Sequence, residues 1–146
     1  MVPQPTVTTM DTRLRVLVAD DHRAMLDNLV RFLSRDFDVV AALSDGLTVV
    51  SAATRLDPDL LVLDIAMPGL NGIAVARQLK DAGSTAKVVF VTNLHDREFV
   101  EHSLTLGAIG YVVKDRLFAD LLPAIHQVSA GESFVSVSAR PKMNTS

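Results

Sequence analysis

The stretch Leu60-Leu61-Val62-Leu63-Asp64-Ile65-Ala66-Met67-Pro68-Gly69-Leu70-Asn71-Gly72 carries the strongest structural signal in this chain. Its first four residues are apolar and predict a short strand that is buried on both faces. Asp64 follows at once, and the Pro-Gly and Asn-Gly pairs after it predict a loop and a turn. In an open parallel sheet, ligands bind where the strands end on their carboxyl side. Asp64 is therefore a candidate site residue.

Strand and helix patterns alternate on both sides of this stretch. Apolar runs predict five strands, at residues 14–19, 37–43, 60–63, 88–91 and 109–113. Helical spacing predicts five helices, at residues 22–34, 47–56, 71–83, 96–106 and 117–130. This alternation indicates an α/β fold built on a parallel sheet.

The last predicted helix contains a proline, Pro123. A proline in a helix interior costs roughly 3 kcal/mol, because it removes a hydrogen bond and crowds the preceding turn. We therefore predict a short leading turn, with Pro123 at the first position of the main helix.

Composition narrows the class of protein. The chain has 146 residues, no cysteine and a formal net charge of -3. The absence of cysteine excludes disulfides and thiolate metal sites. The negative net charge argues against direct binding of nucleic acid by this chain alone. No apolar run is long enough to span a membrane, and the N-terminus lacks the pattern of a signal peptide, so we expect a cytoplasmic protein. We expect a disordered leader at 1–12, one domain at 13–133 and a tail or linker from 134–146.

Polar residues stand at the carboxyl ends of four predicted strands. These residues are Asp20, Asp21, Asp64, Thr92 and Lys114. Right-handed crossovers bring the strand ends to one edge of the sheet, so these side chains should meet. Three carboxylates at close range repel one another unless a cation neutralises them, and Mg²⁺ suits a site made of oxygen ligands. The set is typical of phosphoryl transfer to a carboxylate, with Lys114 and the metal offsetting the charge.

At these residues the chain resembles the receiver domain of two-component response regulators. The matching features are Asp20-Asp21, Asp64 with Met67-Pro68-Gly69 and Asn71-Gly72, Thr92, and Gly110-Tyr111-Val112-Val113-Lys114. Asp20-Asp21-His22 and Ala130-Gly131-Glu132-Ser133-Phe134 resemble the NarL/FixJ-type branch. The resemblance implies a flavodoxin-like (βα)5 fold, which is a doubly wound parallel sheet with strand order 2-1-3-4-5.

The resemblance also implies a role for each residue. Asp64 would accept a phosphoryl group from a phosphohistidine of a sensor histidine kinase. Asp20, Asp21, Asp64 and the main-chain carbonyl of Ala66 would hold Mg²⁺. Thr92 and Lys114 would contact the phosphoryl group. Thr92 would turn inward and Tyr111 would follow it, which rearranges the face formed by the fourth helix, the fifth strand and the fifth helix.

Three positions depart from the common receiver pattern. Asn93 is larger than the small residue that usually follows the switch threonine, so it would crowd the phosphoryl pocket. Ala66 has no polar side chain to orient an attacking water, which leaves the lifetime of the phosphate open. Asp115 replaces a proline that often follows the lysine.

Other interpretations of the same residues stay open. Asp20 and Asp21 could act only as caps of the first helix, and Tyr111 could be a half-buried packing residue. The chain could be a stand-alone receiver or a pseudo-receiver that acts through protein contacts, or a metal-dependent hydrolase with an aspartyl-phosphate intermediate. As a receiver it would be a phosphoacceptor rather than an enzyme, it could form a homodimer, and DNA would be reached only through a further C-terminal domain.

Overall fold

The computed structural model describes residues 13–93 and 97–136, and of Arg97 it describes the backbone alone. Its strands are β1 (Arg15–Ala19), β2 (Asp38–Leu43), β3 (Leu60–Leu63), β4 (Lys87–Thr92), β5 (Ile109–Val113) and β6 (Phe134–Val135). Its helices are α1 (Arg23–Leu33), α2 (Gly46–Leu56), α3 (Gly72–Asp81), α4 (Arg97–Leu104) and α5 (Leu117–Ser129), with a 3₁₀ turn at Lys114–Arg116. The predicted leader at 1–12, and the start of the fourth helix at residue 96, lie outside the described residues.

One parallel sheet holds all six strands, in the order β2-β1-β3-β4-β5-β6. The predicted α/β fold and the strand order 2-1-3-4-5 are therefore confirmed. All five strand pairs are parallel, so the carboxyl ends of β1, β3, β4 and β5 share one edge. That edge is where the candidate residues were expected to meet.

An apolar core fills each face of the sheet. On one face, residues of α2, α3 and α4 pack on β-strand side chains such as Leu63, Phe90 and Tyr111. On the other face, α1 and α5 pack on alternate side chains such as Val62 and Val112. The strands β3 and β5 are buried along their whole length, which explains why their sequences are continuous apolar runs.

The sixth strand was not predicted. Phe134 and Val135 form it where the sequence suggested the start of a tail, and they pair with Gly110 and Tyr111 of β5. Two residues are too few to show a hydrophobic period in the sequence, so the strand could not be recognised from it. The strand forms because β5 offers an unpaired edge with which Phe134 and Val135 can pair. The expected domain end after Ser133 therefore lies just before a strand that belongs to the sheet.

The prediction for Pro123 was wrong. Pro123 lies inside α5, six residues after its first residue Leu117, and the leading turn is the separate 3₁₀ segment at Lys114–Arg116. The ring of Pro123 is exposed. Buried residues on both sides of it, such as Leu121 and Ala124, hold the helix against the sheet. Tertiary packing thus outweighs the local cost of the proline.

None of the helices among residues 13–93 and 97–136 is long and apolar enough to cross a membrane.

Candidate functional site

Asp20 and Asp64 stand side by side at the carboxyl edge of the sheet. The last residues of β1 and β3, Ala19 and Leu63, are paired partners. The N–H of Asp64 donates to the carbonyl of Ala19 at 2.9 Å, which extends this register by one residue. The two carboxylates therefore emerge from adjacent strands at the same level, as the sequence predicted.

Lys114 reaches both carboxylates from the end of β5. Its Nζ lies 2.8 Å from Oδ2 of Asp20 and 3.0 Å from Oδ2 of Asp64. All three side chains are shielded from solvent, with exposed fractions of 8% for Lys114, 0% for Asp20 and 6% for Asp64. One ammonium group thus bridges two buried carboxylates, and this ion triad is the centre of the candidate site.

The charges of the triad are not balanced, and the pKa values of its members reflect this. Burial disfavours the Lys114 ammonium, but the hydrogen bonds and charges of Asp20 and Asp64 outweigh it and raise the pKa of Lys114. Burial of Asp64, with the neighbouring charge of Asp20, raises the pKa of Asp64 even though Lys114 opposes the shift. The site therefore holds its lysine protonated between two buried carboxylates.

Asp21 and His22 lie at the outer rim of the triad. The His22 Nδ1 atom is 3.7 Å from Oδ1 of Asp21 and 4.0 Å from Oδ1 of Asp20. The N–H of His22 also donates to Oδ1 of Asp20 at 2.8 Å. Ligand atoms of these three residues lie within 4.8 Å of one another, a spacing at which they could share one metal ion.

The donor set of the site fits a hard divalent cation. Asp20 and Asp64 supply buried carboxylate oxygens, and Asp21 adds an exposed carboxylate beside them. Oxygen ligands with excess negative charge are what Mg²⁺ binds in proteins. Asp20 and Asp21 could also serve the start of α1, but neither provides the side-chain cap, because His22 occupies the N-cap position and makes no such bond.

Thr92 and Tyr111 are both buried in the structure. Thr92 ends β4 opposite Val113, so it lies one position from Lys114 across the sheet, with 1% of its surface exposed. Tyr111 is fully buried in the core under α4. Tyr111 thus packs in the core, as the packing interpretation expected, but it is fully and not half buried. Any switch that uses Tyr111 starts from the inward position of its ring.

The loop from Asp64 to Gly72 is closed at its base by main-chain bonds. The N–H of Gly72 donates to the carbonyl of Ile65 at 2.8 Å, and the N–H of Ala66 donates to Oδ1 of Asp64 at 3.2 Å. Asn71 caps α3 as predicted, since its side chain accepts from the N–H of Ala74 at 2.8 Å. Ala66 itself is exposed and lies on this loop, two residues after Asp64.

The two remaining departures from the receiver pattern are solvent-exposed residues. Asn93 is exposed, and Asp115 is exposed within the 3₁₀ turn that follows β5. This turn begins with Lys114 and leads directly into α5.

Sequence reasoning missed a second polar cluster behind the triad. Asp120 is nearly fully buried and accepts two hydrogen bonds from Arg116, at 2.9 and 3.1 Å. Ser136 is fully buried, donates its hydroxyl to Oδ2 of Asp120 at 2.7 Å and accepts from the N–H of Val113 at 3.1 Å. A further bond joins the N–H of Ser136 to the carbonyl of Tyr111 at 2.8 Å. The cluster ties the chain after β6 to the strand that leads to Lys114.

We expect Ser136→Ala to lower the free energy of unfolding by about 2 kcal/mol, because it leaves the buried N–H of Val113 without its acceptor and removes a donor from Asp120. Urea denaturation of the two proteins measures the difference. Ser129→Ala is the control, because Ser129 is exposed at the end of α5. Equal stabilities of the two variants would show that the buried hydroxyl adds nothing.

Comparison with known proteins agrees with the fold and with the residues at the sheet edge. The family model of the response regulator receiver domain matches residues 16–126. The nitrate/nitrite response regulator protein NarL of Escherichia coli K12 is 35% identical over 133 residues, which are 90% of this chain and 62% of NarL. The chain thus spans under two thirds of that relative.

Two solved structures are similar to the whole described domain. A two-component response regulator of the LuxR family from Aurantimonas sp. SI85-9A1 has 27% identity and a TM-score of 0.81, covering 88% of this chain and 93% of that one. A DNA-binding response regulator of the LuxR family from Staphylococcus aureus has 25% identity and a TM-score of 0.75, covering 79% and 98%. With the family model matching most of the folded residues, this chain belongs to the response regulator receiver domain family, on its NarL/FixJ branch.

Proposed function

We propose that Asp64 is the phosphoacceptor of this receiver and takes its phosphoryl group from a phosphohistidine of a sensor histidine kinase. The observation that supports this most directly is the ion triad, in which Lys114 lies 3.0 Å from Asp64 and 2.8 Å from Asp20. A protonated lysine beside an ionised carboxylate can donate to the oxygens of an incoming phosphoryl group.

In the proposed reaction a carboxylate oxygen of Asp64 attacks the phosphorus atom. The P–N bond to the imidazole of the kinase breaks, and the leaving nitrogen keeps the electron pair of that bond. The other ring nitrogen of the phosphohistidine carries a proton, so the leaving group is neutral imidazole. The product is an acyl phosphate on Asp64. Lys114 then pairs with a phosphoryl oxygen, and the hydroxyl of Thr92, one position away across the sheet, contacts another.

We propose Mg²⁺ as the cofactor, held by Asp20, Asp21, Asp64 and the main-chain carbonyl of Ala66. When bound, such a cation supplies positive charge to the carboxylates and to the transferring group. The structure supports this proposal through two buried carboxylates that share a single lysine. The position of Ala66 supports it too, since this residue lies on the loop that Asp64 begins.

We further propose that phosphorylation is a signal and not a step of catalytic turnover. Receiver domains are in general signalling proteins and not enzymes in the usual sense. The residue two positions after Asp64 is Ala66, which has no polar group. A polar side chain at this position could direct a water molecule at the phosphate, and Ala66 cannot. The acyl phosphate adds negative charge and three acceptor oxygens next to Lys114 and Thr92, which biases the face of α4, β5 and α5 toward another arrangement.

The output of the signal is proposed from the relatives. The Staphylococcus aureus protein of similar structure is described as a DNA-binding response regulator, and NarL as a response regulator for nitrate and nitrite. We propose that this receiver controls transcription in the cytoplasm through a DNA-binding segment, with a homodimer as the active form. The receiver itself would not bind DNA.

Intact-protein mass spectrometry tests the phosphoacceptor. With Mg²⁺ and a small phosphodonor such as acetyl phosphate, the protein is expected to gain one adduct of about 80 Da, the mass of a phosphoryl group. Asp64→Asn should lose the adduct, whereas the matched variant Asp38→Asn, at an exposed carboxylate that begins β2, should keep it. An adduct on Asp64→Asn would contradict the assignment of Asp64 as the phosphoacceptor. If the unaltered protein gains no adduct, a pseudo-receiver is favoured. Steady release of phosphate from the phosphodonor would favour a hydrolase.

A further inference from the structure

The loop that carries Ala66 is supported from outside by the first turn of α2. The N–H of Gly46 donates to the carbonyl of Pro68 at 3.0 Å. A Cβ atom placed on Gly46 would lie 1.9 Å from the carbonyl oxygen of Leu70 and 2.7 Å from its carbonyl carbon. The backbones of Gly46 and Leu70 thus approach more closely than any side chain would allow.

Side chains next to Gly46 in the sequence lie close to the same loop. A Cβ atom on Gly69 would lie 3.2 Å from Cγ of Leu47 and 3.7 Å from Oδ1 of Asp45. Asp45 is itself held in place as the cap of α2, since Oδ1 accepts from the N–H of Thr48 at 3.0 Å. The turn between β2 and α2, which is capped by Asp45, therefore lies directly against Pro68-Gly69-Leu70.

We infer that Gly46 is a positioning residue of the phosphoryl site, which sets the place of the Ala66 carbonyl relative to Asp64. This inference rests on the proposed function, because it takes the Ala66 carbonyl as a ligand of the cation. The loop is held at two points, at its base by Gly72 and Ile65 and at its middle by Gly46 and Pro68. Ala66 lies between these points, with only Met67 between it and Pro68, so a displacement at Pro68 is passed on to Ala66.

A methyl group at position 46 has to push the loop away, because the atoms that it meets belong to the backbone and no rotamer change relieves the overlap. Asp64 and Lys114 stay in place, since β3 and β5 hold them. Loss of correct support behind a metal ligand costs about 10- to 100-fold in metal affinity. Gly46→Ala should therefore weaken cation binding about tenfold, while the rate of phosphorylation at saturating Mg²⁺ changes much less.

The matched control is Gly110→Ala. A Cβ atom on Gly110 would lie 3.0 Å from Cγ2 of Val89 and 3.3 Å from Cγ2 of Val128, so it also crowds the core. Its contacts are side chains between the sheet and α5, not the loop of Ala66. The control therefore reports the effect of lost stability alone on cation affinity.

Cation affinity is measured by Mn²⁺ titration with electron paramagnetic resonance, and the Mg²⁺ concentration for half-maximal phosphorylation by acetyl phosphate is measured separately. Both are recorded well below the unfolding temperature of each variant. The inference expects a rise of about tenfold for Gly46→Ala in both measurements, and a change of less than about twofold for Gly110→Ala. Equal values for the two variants would overturn it.

Asp45→Ala is the second variant, for the case that Gly46→Ala does not fold. It removes the cap of α2, which holds the turn that carries Gly46, so it should fold and should weaken cation binding by a smaller factor, about two- to fivefold. An unchanged affinity in this variant would overturn the inference. If the unaltered protein binds Mn²⁺ but gains no phosphoryl adduct, the proposed function fails while the titration still decides the role of Gly46. If it binds no cation at all, both fail.

Discussion

Replacing Lys114 by methionine is expected to lower the free energy of unfolding by about 3 kcal/mol in buffer without divalent cations, because the change leaves two buried carboxylates without their shared counter-charge. The Lys114 ammonium pairs with both Asp20 and Asp64, at 2.8 and 3.0 Å. Methionine is similar in length to lysine and fills the same space. The loss of stability in Lys114→Met therefore reports the missing charge more than a change in packing. Urea denaturation in the presence of a chelator measures it.

The loss should depend on pH with a defined sign. Burial raises the pKa of Asp64 already, and removal of the Lys114 charge raises it further. A carboxyl whose folded pKa lies above its unfolded value favours the folded state most at low pH, and this contribution falls as the pH rises through the folded pKa. The gap between the variant and the unaltered protein should therefore widen from acid to neutral pH, and added Mg²⁺ should narrow it at neutral pH.

Lys87→Met is the control for this experiment. Lys87 is exposed at the start of β4, so its replacement should change the stability by less than about 0.5 kcal/mol. A Lys114→Met protein as stable as this control, or one whose deficit is the same at acid and neutral pH, would contradict the view that Lys114 balances the buried carboxylates.

Replacing Gly72 by alanine is the second change with a large expected effect. At the start of a solvent-exposed helix, replacing glycine by alanine usually raises the free energy of unfolding by up to about 1 kcal/mol. Here a Cβ atom would lie 2.3 Å from the carbonyl oxygen of Asp64 and 3.1 Å from Cα of Ile65. We expect a loss of about 3 kcal/mol, because the crowded atoms are backbone and the N–H of Gly72 must keep its bond to Ile65.

Thermal and urea unfolding of Gly72→Ala measure this loss, and Gly83→Ala is the control. Gly83 has φ +93, and no atom lies within 4 Å of the position that a Cβ would take, so only the cost of left-handed backbone applies, about 1–2 kcal/mol. A Gly72→Ala protein no less stable than the Gly83→Ala protein would show that the loop after Asp64 moves aside without cost.

The site could be assembled from the sequence because it depends on strand ends. Each of Asp20, Asp64 and Lys114 follows an apolar run, and parallel strands with right-handed crossovers bring such ends to one edge. The structure places these three side chains in contact. The roles of all the predicted site residues in phosphoryl transfer stay predictions until the adduct is measured.

The features that escaped the sequence depend on contacts between distant segments. The bond of Ser136 to Asp120 joins residues 16 apart, and the overlap expected at Gly46 comes from Leu70, 24 positions away. No local period marks such residues. Pro123 shows the same limit, because its local cost argued for a helix start whereas packing on both sides keeps it inside α5.

Local patterns in the chain were enough to establish the α/β class and the candidate residues at the sheet edge, and the family resemblance supplied the strand order. Hydrophobic runs and turn residues are properties of short segments, so they can be recognised before any contact is known. Three features required the folded chain: one ammonium bridges two buried carboxylates, β6 extends the sheet, and Gly46 supports the loop of Ala66. They arise from distances and from exclusion of solvent between segments far apart in the chain, and such quantities exist only once the core has formed.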